Sequence, residues 1–360
     1  MSYWEQQFYS IEYALSIQAE ANEEREVMSL KSKKAVFIPL LTVAALLASG
    51  TTASHAAASK GLVGFSYPIE ANTYLKAIGL AAEATLKKAG YTMLPIDAQL
   101  DGNKQISDVE TMITKKVKAM IIYPLDSNGM KPVLTKAAAA GIKVITMNYS
   151  VGDSVKAPPA PSLAQVQDGF PQRSLATARV AWLKKVLPHG GNILYVGLGF
   201  PVAALEMHAK LFKEEVDQDT AFTYLGRVDN KSDDSEGGRQ AVDEALIKYP
   251  NIDAIVAYND PTALGAYSAV KAAGKAGKIK VIGLQMQPEA VNSIKAGEIN
   301  GSWDFNPVAS GVSLASLTVS ILKGEAKSKW NKTVQTPAVF FDKTTIGKFV
   351  PWDTRVKKLK

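Results

Sequence analysis

From residue 61 onward, short β-rich runs alternate with amphipathic helical patterns, and this alternation most constrains the fold. Strand candidates are Leu62–Tyr67, Tyr91–Ile96, Ala119–Leu125 and Lys143–Tyr149, then Asn192–Gly197, Phe222–Val228, Ala254–Tyr258 and Lys280–Leu284. Helical patterns fill the gaps; in Tyr74–Ala89, for example, Leu75, Ile78, Ala82 and Leu86 recur at the three-to-four spacing of a helix packed on a sheet. Strand, helix, strand order with both sheet faces covered implies parallel sheets, because parallel neighbours need a crossover and that crossover is right-handed. The expected class is α/β and doubly wound.

The alternation breaks once, over residues 150–163, where Gly152, Pro158, Pro159 and Pro161 interrupt any period. Two similar series flank the break, so the chain is expected to form two Rossmann-like lobes, with this segment crossing between them. A second crossing is expected at Trp303–Pro307, after the strand-like Ile299–Phe305, since the helix Val308–Leu322 needs a lobe to cover. A third is expected in Asn331–Pro337, before a last strand Ala338–Phe341. The lobes then comprise residues 57–163 plus 306–332, and residues 164–305 plus 333–360. A three-segment hinge of this kind lets two bodies close on something between them without drifting apart.

Ahead of the lobes, Lys31, Lys33 and Lys34 precede the apolar run Ala35–Ala48 and a tail of small residues through Ser54, His55 and Ala56. This is the pattern of a cleaved secretory signal, assigned to residues 28–56. The run is shorter than the ~20 residues that span hydrocarbon. Residues 1–27 form an extension outside that pattern, and translation is expected to begin at Met28. The chain has no cysteine, so packing rather than disulfides must hold an exported protein, and no thiol can carry a lipid. A freely diffusing monomer in the periplasm is the expectation. The 41 Lys and Arg outnumber the 34 Asp and Glu for a net charge of +7. The lysines are scattered over helices, as at Lys87, Lys88, Lys115, Lys116, Lys184 and Lys185, which fits solvated faces rather than a nucleic-acid footprint.

Catalytic constellations are scarce. Beyond the signal only His189 and His208 remain, with no His-Glu-x-x-His and no Gly-x-Ser-x-Gly elbow. Neither an enzyme, a metal site nor a cofactor is expected. Gly197-Leu198-Gly199 follows a strand and precedes a helix, but Val202 stands where a dinucleotide fold has its third glycine. Gly277-Lys278 is no Walker loop, because Ala272 occupies the first glycine position.

Open parallel sheets bind ligands beyond the carboxyl ends of their strands. Those ends carry Tyr67, Asn72 and Tyr74, then Asp126, Asn148 and Tyr149, then Phe200 and Glu206, Asn259 and Asp260, Gln285, and Asp304 beside Trp303. Amides and carboxylates suit hydroxyls, and ring faces suit the C–H face of a sugar. Plainer roles compete: Asn259-Asp260-Pro261 also reads as a helix cap with proline in the first turn, and Tyr74 and Trp303 also suit a core.

Val256-Ala257-Tyr258-Asn259-Asp260-Pro261-Thr262-Ala263-Leu264-Gly265-Ala266, then Gly274-Lys275 and Val281-Ile282-Gly283, resembles the second-lobe signature of the periplasmic ribose-binding-protein-like family, solute receptors of ABC importers. Gly141–Asn148 similarly resembles a first-lobe strand of that family, and the likeness runs from about Leu62 to Phe341. It implies the type I periplasmic binding protein fold, a small sugar or polyol as ligand, an ABC permease as partner, and no catalysis. By position it implies ligand contacts at Asn72, Tyr74, Asn148, Tyr149, Glu206, Asn259, Gln285 and Asp304. The chain departs from the family where Asn148-Tyr149 replaces an Asp-Arg pair, Glu206 an arginine and Gln285 an aspartate, which points away from ribose itself and opens the cleft to a neutral polyol or a cationic amine. A chemotaxis or sensor-kinase receptor would share all of these features and differ only in its membrane partner.

Overall fold

The computed structural model describes residues 59–150, 158–169 and 172–359; the expected signal and extension, residues 1–56, lie outside them. The described chain holds two parallel sheets. The first has the order β2-β1-β3-β4-β5-β11, from β1 (Leu62–Tyr67), β2 (Thr92–Asp97), β3 (Ala119–Ile122), β4 (Lys143–Met147), β5 (Ala164–Gln167) and β11 (Thr333–Gln335). The second has the order β7-β6-β8-β9, from β6 (Gly191–Leu198), β7 (Phe222–Asn230), β8 (Ala254–Ala257) and β9 (Lys280–Ile282). A short antiparallel pair, β10 (Ser302–Asp304) with β12 (Val339–Phe341), lies beside the second sheet, and residue Gln285 bridges to Asp304. This is the two-lobed α/β architecture the alternation implied.

Central strands such as β3 (Ala-Met-Ile-Ile) and β8 (Ala-Ile-Val-Ala) are buried along their whole length, as strands with helices on both faces must be. Pro95, which cannot donate to a ladder, sits in the edge strand β2. In the first lobe, α1 (Thr73–Lys88) packs on α9 (Pro307–Leu322), and α2 (Gly102–Thr114) lies against α3 (Ser127–Ala139). In the second, α4 (Gln172–Val186) pairs with α5 (Ala203–Asp217), and α6 (Ser235–Lys248) with α7 (Asp260–Ala272). The tightest pairs meet at glycine: a Cβ on Gly311 of α9 would stand 2.1 Å from the Ile78 carbonyl of α1, and one on Gly265 of α7 2.0 Å from the Ser235 carbonyl of α6. Only glycine permits that approach.

Two expected boundaries need correction. Ala164–Gln167 does not begin the second lobe, because β5 runs parallel to β4 in the first sheet; the chain changes sheets after Asp168, not within residues 150–163. Thr333–Gln335 likewise pairs with β5 rather than joining the second lobe. Both strands were obscured by length: three or four residues beside a proline-rich stretch carry too little period to register.

The crossings are laced together by Thr336, which is 2 % exposed. Its N–H donates to the Gln167 carbonyl at 3.1 Å. Its hydroxyl lies 3.4 Å from the Gly169 N–H, 3.4 Å from the Phe305 carbonyl and 3.2 Å from the Ser310 hydroxyl. One side chain therefore touches all three segments of the hinge.

Candidate functional site

Helices that follow parallel strands start at the carboxyl rim of the sheet, and their exposed N–H groups demand capping side chains. Asn72 caps α1, accepting from the Tyr74 and Leu75 N–H groups at 3.0 and 3.3 Å. Asn259 caps α7, accepting from the Thr262 N–H at 3.0 Å. The cap fixes each amide's orientation, so the NH2 of both asparagines must point outward, and both point at the same group. Asp233, in the loop after β7, accepts from Asn72 Nδ2 at 3.1 Å, from Asn259 Nδ2 at 2.8 Å and from the Tyr258 hydroxyl. Asn72 belongs to the first lobe and the other three to the second, so this network spans the gap between them. Thr73 crosses it too, donating to Gln287 Oε1 at 2.6 Å, as does the Ala203 N–H, which donates to the Leu125 carbonyl at 3.3 Å.

A second network lies on the first-lobe side. Asp168, at the end of β5, is 7 % exposed. It accepts from Asn148 Nδ2 at 2.5 Å and from the Tyr74 hydroxyl at 2.7 Å, while its own N–H donates to Asn148 Oδ1 at 3.1 Å. Tyr123 stands beside it, close enough for Asp168 and burial together to push its phenol up. Burial pushes the carboxyls of Asp168 and Asp233 above the ordinary range, and the surrounding donors hold them back. Burial and then the neighbouring carboxylate push the Tyr74 and Tyr258 phenols well up, so both stay protonated donors.

The loop carrying Gln285, Met286 and Gln287 leaves β9 with positive φ at Gln285 (87°) and Met286 (60°). Gln285 Oε1 accepts from Gln287 Nε2 at 3.1 Å. Behind the loop, Asp260 is fully buried and takes the Gln287 N–H at 2.6 Å. Burial drives its carboxyl up to about 8, so at neutral pH it holds a proton. Its place in the first turn of a helix was legible as capping; its actual work is to fix the neighbouring loop.

The expected contacts therefore divide. Asn72, Tyr74, Asn148 and Asn259 belong to the two networks at the gap, and Gln285 adjoins them through Gln287. Tyr149 does not turn to the gap: it is buried in the apolar cluster with Met130, Leu134 and Ile142. Glu206 is held by Arg227 at 2.7 and 2.8 Å on a half-exposed surface. Asp304 sits at the hinge, gripped by Arg355 at 2.6 Å, the Trp352 indole at 3.3 Å and the Asn306 N–H at 2.9 Å. Asp126 caps α3. Sequence reading missed Asp168, Asp233, Tyr258, Tyr123 and Gln287. Asp168 follows an unrecognised strand, and Asp233 hides in Ser232-Asp233-Asp234, which reads as a plain cap.

Among the described residues no cluster of His, Cys, Asp and Glu could hold a metal ion. His208 is buried and held neutral, its pKa driven down to about 3 by burial and by Arg179, and His189 lies exposed in a turn.

Two doubly wound lobes, a triple hinge and facing strand-end networks define a ligand-closing receptor. The sequence profile of the periplasmic binding protein domain matches residues 63–326, and the chain belongs to that family, one of solute binders rather than catalysts. Among its relatives is the ribose import binding protein of Bacillus subtilis, 28 % identical over 76 % of this chain and 85 % of the relative. The D-ribose/D-allose-binding protein of Pseudomonas aeruginosa is 29 % identical over 67 % of this chain and 75 % of its own length. The fold matches that of the Caulobacter myo-inositol binding protein bound to myo-inositol, with a TM-score of 0.71, 23 % identity, and coverage of 82 % of this chain and 97 % of that one.

Proposed function

We propose that this protein captures a sugar or polyol between its lobes and delivers it to the membrane permease of an ABC importer. The observation that carries the reading is the direct hydrogen bonding of the first helix of one lobe, through Asn72 and Thr73, to strand-end loops of the other, at Asp233 and Gln287. Amides, carboxylates and phenols in that gap offer the mixed donors and acceptors that hydroxyls require. A solute touching both half-sites favours the closed form because only there are both sets of contacts made, whereas one touching a single lobe would shift nothing. Delivery requires a mature chain outside the cytoplasm, which the segment 28–56 would supply by cleavage, and the protein would work as a monomer. The proposed ligand contacts are Asn72, Tyr74, Asn148, Asn259 and Gln285, with Asp168 and Asp233. Calorimetry against pentoses, hexoses, inositol and glycerol, together with X-ray scattering, tests the reading. One member, or its aminated counterpart, should bind and reduce the radius of gyration; no binding by any of them in either form would overturn it.

A further inference from the structure

Apart from Asp260, which keeps its proton, the buried carboxyls elsewhere among the described residues are met by cations: Asp304 by Arg355, and Asp108 by Lys104 at 3.0 Å. Asp168 and Asp233 are not. Among the described residues neither makes an ion pair, and both are ringed by amides and phenols alone. The buried Arg179 is engaged elsewhere, donating to the Ala257 carbonyl at 3.2 Å and lying over the rings of Tyr195 and Phe212.

Their amide partners can only donate. The Asn148 amide must present its NH2 to Asp168, because its oxygen already takes the Asp168 N–H. The Asn72 and Asn259 amides must present theirs to Asp233, because their oxygens cap helices. Both oxygens of each carboxylate thus receive a donor, and for Asp233 both receive an amide NH2 that can only donate. A proton on either group could be taken only by a phenol oxygen, that of Tyr74 for Asp168 and that of Tyr258 for Asp233, because the amide NH2 groups only donate. The site presents two carboxyls without a counter-ion, Asp168 from the first lobe bonded to Tyr74 and Asp233 from the second bonded to Asn72, at the start of α1.

We infer that the solute carries a positive charge: an amino sugar or aminated polyol whose ammonium is read by Asp168 and Asp233 and whose hydroxyls are read by the amides around them. This inference rests on the solute-capture reading and sharpens its ligand class. An ammonium offers three donors and no acceptor, which matches oxygens already committed to accepting. Closure that brings both acids to one cation would bind it in both lobes at once, as a closed-state ligand must be.

Matched pairs test it by calorimetry near neutral pH: glucosamine against glucose, galactosamine against galactose, glucamine against sorbitol, and serinol against glycerol. In at least one pair the amine should bind about tenfold or more tighter than its alcohol, and Asp233→Asn should bring that ratio toward one. Asp168→Asn provides the same comparison should Asp233→Asn unfold, with thermal unfolding checking each variant. Alcohols binding as tightly as their amines in every pair would overturn the charge inference and leave solute capture standing. No binding by any member would overturn both, and a preference unchanged in both variants would remove the carboxylates from the explanation.

Discussion

The hinge and the cleft both bury carboxylates, and they balance them differently. At the hinge, Asp304 receives a guanidinium and an indole from residues 51 and 48 positions further along the chain and a backbone N–H from two residues on. In the cleft, Asp168 and Asp233 receive donors without charge, drawn from both lobes. An acid that carries its own counter-ion is finished as a structural element; an acid met by neutral donors alone still lacks a charge partner. The sharpest way to break this comparison is Arg355→Met, which removes the guanidinium that pairs with Asp304 and lies over the Phe349 ring, and leaves Asp304 buried without a counter-ion. Arg355 is 19 % exposed and Asp304 6 %, so the loss should be about 3 kcal/mol, read as a fall in Tm. Adding Asp304→Asn should recover part of it. An unchanged Tm in the single variant would mean that the hinge acid is no better compensated than the cleft acids.

The cleft side of the comparison is tested by Tyr74→Phe. The variant keeps the ring against Trp352, whose centroid lies 5.9 Å away, and removes the hydroxyl bonded to Asp168. A buried carboxyl that loses a hydrogen bond should cost about 2 kcal/mol of stability, seen in thermal or urea unfolding, together with weaker solute binding. Tyr149→Phe is the matched control, since its ring packs in the opposite core, and solute affinity should not change. Equal effects on affinity would put Tyr149 back among the contacts expected from the resemblance.

That pair also shows what could be read from the sequence. The architecture was legible because strand and helix periods are local: every strand expected from Leu62 to Leu284 is present within a few residues. Asn72 and Asn259 were legible because a cap and a cleft residue occupy the same strand-end position. Tyr149 followed Asn148 by position alone, but Asn148 leaves β4 with a φ of 50°, and past that turn Tyr149 is buried in the apolar cluster while Asn148 meets Asp168. Asp233 was illegible because its partners lie 161 residues away at Asn72 and 26 away at Asn259, and no local period reports a contact made across two lobes. Asp304 lies at the hinge, and its partner Arg355 was illegible because it comes from α11 (Trp352–Lys357), beyond the last strand.

Asp260 shows a third way to bury a carboxyl, by keeping its proton. Its folded pKa of about 8 lies above the unfolded carboxyl range of about 4, so the folded chain binds a proton that the unfolded chain releases. Stability from this group is full below the unfolded value and is lost as pH rises toward 8. The slope should not exceed about 1.4 kcal/mol per pH unit. Asp260→Asn, neutral at every pH, should flatten the stability profile between pH 5 and 8 relative to the parent chain, measured by urea unfolding in steps of pH. An identical profile would show that Asp260 does not keep its proton on folding.

The smallest effect is expected at Glu206, and it bounds the comparison from the solvent side. Its ion pair with Arg227 is short and bidentate, and Arg227 also takes Asp229 at 2.5 Å and donates to the Leu198 carbonyl at 2.9 Å. Yet Glu206 is 45 % exposed, where water and salt screen the charges and the pair is worth about 0–1 kcal/mol. Glu206→Gln should lower stability by less than about 0.5 kcal/mol, and added salt should erase most of that. Binding is the more telling measurement. Arg227 satisfies the Glu206 charge on the surface of the second lobe, so the variant should leave the affinity for an aminated polyol within twofold or so of the parent's. A tenfold loss of that affinity would show that the surface pair closes over the ligand, and the division between self-paired acids and ligand-reading acids would have to be redrawn to include it.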